Sequence, residues 1–203
     1  ELLQGVTAWD DRDGDLTDKV LVEHVSNLTG ANTARITYVV FDSADNAATC
    51  SRTIRYTDYQ KPRFRLTAPL HYYVGDTITL LDRLTAVDVI DGDLQDKIRL
   101  TASNLTNTLA GTYHVTVQVT NSLGDTSVLP LTILVDSGSG YLTPEIQLTQ
   151  YLVYLDQGST FDPGIYVRSI TDPSAGNKTV SRGQAEIFSE VDPNRPGTYE
   201  VVY

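Results

Sequence analysis

Residues 5–20 read GVTAWDDRDGDLTDKV, and residues 83–98 read RLTAVDVIDGDLQDKI. Nine of the 16 aligned positions are identical, and the second copy follows the first at an offset of 78 residues. Both copies contain the pattern T-A-x-D-x-x-D-G-D-L-x-D-K, and both continue into residues that favour β-strands. A repeat of this length indicates a chain built from successive modules of similar structure.

The repeat predicts three modules, at residues 1–58, 59–137 and 141–203. The triplet G-T-Y opens an alternating apolar segment at residue 111 and again at residue 197. The second module reads as complete. The first has no counterpart of residues 62–78, and the third has none of residues 118–136. We therefore expect a segment of a longer protein, whose first and last strands are mobile or paired with a neighbouring molecule.

Short segments with alternating apolar residues, separated by turn signals, predict an all-β fold of antiparallel β-sandwich modules. Residues 64–66 and 77–80 are predicted to be short strands, and residues 136–140 a flexible linker. Pro130 cannot donate to a strand ladder, so its strand is expected at an edge or a bulge at that point. The residues expected to be buried together are Tyr113, Val115, Val117, Val119, Ala86, Leu94 and Ile98.

Composition narrows the classes of partner. The chain has 26 acidic and 15 basic residues and a net charge of −11, which argues against binding to nucleic acid. Cys50 is the only cysteine, so an intrachain disulfide is excluded. The sequence contains no apolar run of about 18 residues, so no membrane span is predicted.

Three features resemble the immunoglobulin-like repeats of extracellular proteins of Gram-positive bacteria. They are T-A-x-D-x-x-D-G-D-L at residues 7–16 and 85–94, G-T-Y with alternating apolar residues at 111–119 and 197–203, and VFDSADN at 40–46. The resemblance implies tandem immunoglobulin-like sandwiches that act as a stalk or adhesion segment at a cell surface or cell wall. It implies a protein or glycan partner at that surface. The third module lacks D-G-D, so properties of that loop do not transfer to it.

The acidic loops are candidate calcium sites. The candidate ligands are Asp10, Asp11, Asp13, Asp15 and Asp18 in the first loop, and Asp88, Asp91, Asp93 and Asp96 in the second. Calcium takes six to eight oxygen ligands, and the first loop is the better candidate because Asp11 stands where the second loop has Val89. The alternative is that these aspartates and glycines only build turns. The spacing also differs from the EF-hand loop, which ends in a glutamate.

The sequence contains no H-E-x-x-H, G-x-S-x-G or phosphate-binding loop motif, so the predicted function is non-enzymatic and uses no cofactor. Two alternatives to a stalk or adhesion segment stay open. One is a glycan-binding module, with an aromatic platform drawn from Trp9, Tyr72, Tyr73, Tyr151 and Tyr154. The other is an accessory segment of a surface hydrolase whose catalytic domain lies outside this sequence.

Overall fold

The computed structural model describes residues 2–29, 32–138, 143–176 and 178–203. The fold is all-β, as predicted. Its strands are β1 Trp9–Asp10, β2 Gly14–Asp15, β3 Leu21–Val25, β4 Thr33–Phe41, β5 Ala47–Arg55, β6 Arg63–Leu66, β7 His71–Tyr73, β8 Leu84–Asp88, β9 Gly92–Asp93, β10 Arg99–Ser103, β11 Gly111–Thr120, β12 Thr126–Asp136, β13 Glu145–Leu148, β14 Val167–Asp172, β15 Lys178–Val180, β16 Phe188–Ser189 and β17 Val201–Val202.

The described helical segments are 3-10 turns of three or four residues. They are Thr17–Lys19, Leu81–Arg83, Gln95–Lys97, Pro163–Tyr166, Pro173–Ala175 and Arg182–Gln184. None of them has the length or apolar character of a membrane-spanning helix. The residues 139–142, which contain the end of the predicted linker, lie outside the described part of the chain.

The chain divides into two compact units. The first consists of Glu1–Pro62, Asp88–Gly92 and Thr120–Thr126, and the second of Arg63–Val87, Asp93–Val119 and Ser127–Tyr203. The boundaries of the three modules stay a prediction. Two segments of the predicted second module, Asp88–Gly92 in its acidic loop and Thr120–Thr126 in the turn between β11 and β12, are grouped with the first unit.

The first unit is built on an antiparallel sheet in the order β3-β4-β5. Along β4, Ala34, Ile36 and Tyr38 are buried while Arg35 is exposed, which is the alternation that a strand with one buried face requires. Val20 joins Ile36 and Tyr38 in a small hydrophobic core. The Tyr38 hydroxyl donates a hydrogen bond of 2.7 Å to the carbonyl oxygen of Leu2.

The second unit contains two sheets that share one hydrophobic core, which is the arrangement of a β-sandwich. One sheet has the order β6-β8-β9 and the other β10-β11-β12-β7. The shared core consists of Phe64, Tyr72, Leu80, Leu84, Ala86, Leu94, Ile98, Val115, Val117, Val119, Leu129, Ile133 and Val135. The predicted core residues are confirmed, with Tyr113 packed against this cluster as a partly buried member.

One predicted strand is wrong. Residues 77–80 form no strand, and the strand in this region is β7, which runs parallel to β12 and pairs Tyr72 with Val135. Because β7 pairs with only the last three residues of β12, no strand among the described residues pairs with that side of β12 at Pro130. The edge position expected for this proline is therefore confirmed. The remaining sheets are β13-β14-β15 and the two-stranded pairs β1-β2 and β16-β17.

Candidate functional site: the acidic loops

The first acidic loop is a tight turn between the two-residue strands β1 and β2, in which Asp10 pairs with Gly14. The Oδ1 atom of Asp10 accepts hydrogen bonds from the backbone amides of Arg12 and Asp13, at 2.8 and 2.9 Å. Gly14 has a φ of +75°, in the left-handed region that favours glycine. The Asp10 carboxylate therefore holds the backbone of the turn in place.

The second acidic loop makes the same contacts. Asp88 Oδ1 accepts from the amides of Ile90 and Asp91, at 3.0 and 2.7 Å, and Gly92 has a φ of +73°. In both loops the leucine after D-G-D is buried, and its amide donates to the carbonyl oxygen of an alanine eight residues earlier. The two copies of the motif thus fold into one local structure.

A carboxylate in each loop also binds the next turn of its own repeat. Asp13 accepts hydrogen bonds from the amide and the hydroxyl of Ser43, at 2.5 and 2.8 Å. Asp91 accepts the same pair from Ser122, at 2.7 and 2.5 Å. We call this contact the aspartate–serine clamp. It joins the acidic loop to the turn between the last two long strands of the repeat, β4 and β5 in the first case and β11 and β12 in the second.

The remaining aspartates of the two loops cap backbone turns or lie exposed. Asp15 and Asp93 each accept from the amide two residues later, at 2.9 Å. The hydroxyl and then the amide of Thr17 lower the pKa of Asp15 below its ordinary value of 3.8, because both donate to the charged carboxylate. Asp11, Asp18 and Asp96 are exposed.

In the described part of the chain, no three His, Cys, Asp or Glu side chains are arranged to hold a metal ion. The contacts above account for the turn-building role of Asp10, Asp13 and Asp15 and of their counterparts Asp88, Asp91 and Asp93. Calcium binding by either loop stays one of the two alternatives given above, beside a purely turn-building role, and its test is given below.

Next to the second loop lies a buried polar cluster that the sequence analysis did not find. Asn121, which is 5% exposed, donates from Nδ2 to the Tyr59 hydroxyl at 2.8 Å and to Asp88 Oδ2 at 2.7 Å. Its Oδ1 accepts from the amides of Leu123 and Asp125. Both ends of the amide side chain are therefore satisfied, as a buried asparagine requires. All these residues belong to the first unit.

The same cluster contains a charge pair and a perturbed tyrosine. Lys61 Nζ lies 3.1 Å from Asp125 Oδ1. Burial raises the pKa of Tyr59 to about 12, and the hydrogen bond and negative charge of Asp125 add to this effect. The sequence gives one signal of this cluster. The turn between β11 and β12 begins with Asn121, whereas the corresponding turn of the first repeat begins with Asp42.

In the first repeat, the corresponding turn between β4 and β5 has a different set of hydrogen bonds. Asp42 accepts from the amides of Ala44 and Asn46 and from the Asn46 side chain, at 2.7 to 2.8 Å. The hydrogen bond from the Asn46 side chain, and after it the one from the Asn46 backbone amide, lowers the pKa of Asp42. A carboxylate at this position cannot donate to the neighbouring loop as Asn121 does. The two copies therefore share the turn and differ in what the turn can bind.

Comparison with known proteins gives distant relatives, and no protein-family model matches the chain. A pesticidal crystal protein of Bacillus thuringiensis is 31% identical over 122 residues, which cover 59% of this chain and 16% of that protein. An uncharacterized 81.3 kDa protein of Acholeplasma phage L2 is 27% identical over 185 residues, which cover 90% of this chain and 23% of that protein. The matched region thus corresponds to less than a quarter of either relative.

Solved structures show a loose likeness. The CBM51-2 and INT domains of ZmpB from Clostridium perfringens, in complex with GlcNAc, match with a TM-score of 0.34 at 20% identity, over 55% of this chain and 27% of that one. The M60 catalytic domain of the same protein with CBM51-1 and CBM51-2 gives 0.32 at 11% identity, over 79% and 34%. A superposition this loose does not define a shared fold.

The aromatic residues suggested as a glycan platform differ in how far they are exposed. Tyr72 is 2% exposed and lies in the shared core with the Arg83 guanidinium over its ring, so its inclusion was wrong. Trp9 is 76% exposed. Tyr73 and Tyr151 are partly buried, and Tyr154 is 47% exposed with its hydroxyl accepting from the amide of Phe64.

Proposed function

We propose that this chain is a non-catalytic spacer, a stalk or adhesion segment of tandem immunoglobulin-like modules in an extracellular bacterial protein. The observation that carries the proposal is the repeated aspartate–serine clamp, made by Asp13 with Ser43 and by Asp91 with Ser122. The side chains that look reactive in the sequence are used to hold turns. A carboxylate that accepts hydrogen bonds from its own module stabilises the fold and is poorly placed to exchange a proton with a substrate.

A tyrosine contact supports the immunoglobulin-like part of the proposal. The Tyr113 hydroxyl donates to the carbonyl oxygen of Leu109 at 2.8 Å, and the Tyr199 hydroxyl donates to that of Arg195 at 2.9 Å. Both tyrosines follow the glycine of G-T-Y by two residues and bond four residues upstream. This geometry resembles the tyrosine corner of immunoglobulin-like sandwiches.

The relatives are compatible with a segment of a larger protein. The chain matches 16% of the crystal protein and 23% of the phage protein, which leaves room for other domains in each. A spacer needs no ligand of its own. An accessory role beside a catalytic or binding domain follows from the same proposal.

Mechanical unfolding tests the spacer function. A load-bearing module unfolds cooperatively, so pulling the chain between its ends should give discrete steps. A 78-residue module releases about 25 nm of chain at roughly 3.6 Å per residue, after its folded length is subtracted. Gradual extension without such steps would contradict a load-bearing role.

Glycan binding is the second candidate, and the exposure of Trp9, at 76%, favours it. Exposed aromatic rings stack on apolar ring faces, and an indole reports such contact by its fluorescence. Titration with cell-wall polysaccharides, chitin oligomers and host glycans distinguishes the two candidates. The spacer proposal predicts no saturable change, and Trp9→Ala is the control that assigns any change to this residue.

A further inference from the structure

The turn between β11 and β12 contacts residues of the first repeat and the segment that follows it. The backbone amide of Leu28 donates to the carbonyl oxygen of Leu123 at 3.2 Å. The Tyr59 hydroxyl accepts from Nδ2 of Asn121 at 2.8 Å. These residues, with the rest of Thr120–Thr126, all belong to the first unit. A turn of the second repeat is therefore part of the compact unit that contains the first repeat.

The connecting segment, residues 56–62, runs between β5 and β6 and is partly buried. Tyr59 is 9% exposed, and Pro62 is less than 2% exposed. The ring centroids of Tyr56 and Tyr59 lie 6.2 Å apart. Because a freely swinging segment would expose these apolar rings to water, their burial favours a single path for the segment. Proline restricts that path further, since its ring fixes φ.

Three positions of the turn between β11 and β12 differ from the corresponding turn between β4 and β5, and each difference coincides with one of these contacts. The residues of the second repeat are Asn121, Leu123 and Gly124, and those of the first repeat are Asp42, Ala44 and Asp45.

Leu123 and Gly124 allow the turn to approach the first repeat closely. The Leu123 side chain is 6% exposed, and its carbonyl oxygen is the acceptor for Leu28. A Cβ atom on Gly124 would lie 2.9 Å from Nδ2 of Asn27, which is too close for a side chain there. Asp45 takes a similar φ of +62° in the first repeat, so the backbone conformation alone does not require glycine at this position. The close approach of Asn27 does.

Asn121 adds a contact without changing the turn that it caps. Asp42 Oδ1 accepts from the backbone amides two and four residues later, both at 2.8 Å. Asn121 Oδ1 accepts from the same two positions, at 3.1 and 2.9 Å. The asparagine also has two N–H donors, which bind the Tyr59 hydroxyl and Oδ2 of Asp88. A carboxylate has no such donors.

We infer that the turn between β11 and β12 is a latch, which holds residues 27–28 and the connecting segment through Asn121, Leu123 and Gly124, so that the join between the first and second repeats is closed. A closed join opens only when these contacts break. The inference does not depend on the spacer function, because it concerns contacts within the first unit.

The test uses the full chain with Asn121→Asp and measures amide hydrogen exchange at Leu28. The substitution keeps the oxygen that caps the turn, as Asp42 does in the first repeat, but it removes both donors and places a second carboxylate beside Asp88. Exchange at Leu28 should become about tenfold faster or more, because its bond to Leu123 protects this amide only while the latch is closed. The amides of β4 should keep their rates.

Tyr59→Phe is the second variant, because Asn121→Asp also introduces a charge. It keeps the ring and removes only the hydroxyl that accepts from Asn121. Exchange at Leu28 should again become faster, and the amides of β4 should again be unaffected.

Asp42→Asn is the matched control, since it makes the reciprocal change in the corresponding turn of the first repeat and should leave exchange at Leu28 unchanged. Faster exchange at Leu28 in both latch variants, with β4 and the control unchanged, supports the inference. Unchanged exchange at Leu28 in both variants overturns it. Equal acceleration at Leu28 and throughout β4 also overturns it, because the contacts then stabilise the first unit as a whole.

The pulling experiment measures the steps in which modules unfold, and the exchange experiment measures one contact in the folded chain. Failure of this inference and failure of the spacer proposal are therefore distinguishable.

Discussion

Asp13 and Asp91 are the residues on which the acidic loops depend, since each holds both donor groups of a serine about 30 positions later. The turn-capping role of an aspartate before a glycine can be predicted from sequence, because its side chain accepts hydrogen bonds from nearby backbone amides. The serine partner is not readable in that way. Ser43 and Ser122 lie in a different turn, and only the folded repeat brings them to the loop.

We predict that Asp13→Ala and Asp91→Ala each lower the free energy of unfolding by about 1–2 kcal/mol. Each substitution removes two hydrogen bonds to a charged acceptor, at partly exposed sites where such bonds contribute less than in a core. Chemical denaturation measures the loss. Asp11→Ala, at an exposed position of the same loop, is the control and should stay within about 0.5 kcal/mol of the parent.

The Tyr59 hydroxyl gives a pH-dependent prediction. Its folded pKa is raised from 10.0 to about 12, so the folded state holds the proton more tightly than the unfolded state does. The resulting stabilisation is complete below pH 10 and is lost as the pH rises towards 12. The free energy of unfolding should therefore fall over this interval, and Tyr59→Phe should reduce the slope. Parallel pH profiles for the two proteins would contradict this account.

At the scale of elements, the region between β6 and β8 shows a limit of prediction from sequence patterns. A strand was predicted at residues 77–80, and the strand observed is β7. Polar and apolar residues alternate at positions 77–80, TITL, which is the pattern of a strand. Residues 71–73, HYY, show no such alternation. β7 exists because it pairs in parallel with β12, about 63 residues later in the chain. A pairing at that separation leaves no periodic signal in a short segment.

The two contacts that resemble tyrosine corners, made by Tyr113 and Tyr199, should stabilise the starts of β11 and of the segment that leads to β17. We predict that Tyr113→Phe and Tyr199→Phe each cost about 1 kcal/mol, because each loses one hydroxyl–carbonyl bond and keeps its ring. Thermal and chemical denaturation measure the change. Tyr56→Phe, outside both corners, is the matched control. A loss confined to Tyr113→Phe would show that only the second repeat depends on its corner.

At the scale of the whole molecule, a net charge of −11 makes cation binding a natural expectation, and melting tests it. We expect the curves in excess EDTA and in millimolar calcium to coincide, because the loop carboxylates already hold backbone and hydroxyl donors. Bound calcium at a hundred times its dissociation constant would add about 2.7 kcal/mol and raise the Tm by several degrees.

If calcium raises the Tm of the parent protein but not that of Asp13→Ala, this expectation is wrong and the ion lies in the first loop. A similar increase that disappears only in Asp91→Ala would locate it in the second. Residues 141–203, the predicted third module, contain no D-G-D sequence, so we expect no calcium effect from that part of the chain.

The all-β class and the core of the second unit could be predicted from the sequence, because both follow from alternation along single strands. The cluster of Tyr59 and Asn121 could not. It depends on side chains from segments that are distant in the chain and that carry no shared motif. Only their three-dimensional arrangement reveals the contact.

The clamp has an evolutionary consequence. Both of its partners, an aspartate in the loop and a serine in the following hairpin, are encoded within one repeat. A tandem duplication therefore copies the clamp whole, and the number of repeats can change without a matching mutation elsewhere in the gene. The contact between Asn121 and Tyr59 joins a hairpin to a more distant segment, and the first repeat has Asp42 in place of Asn121. Lineages that gain or lose repeats should keep the first contact and vary the second.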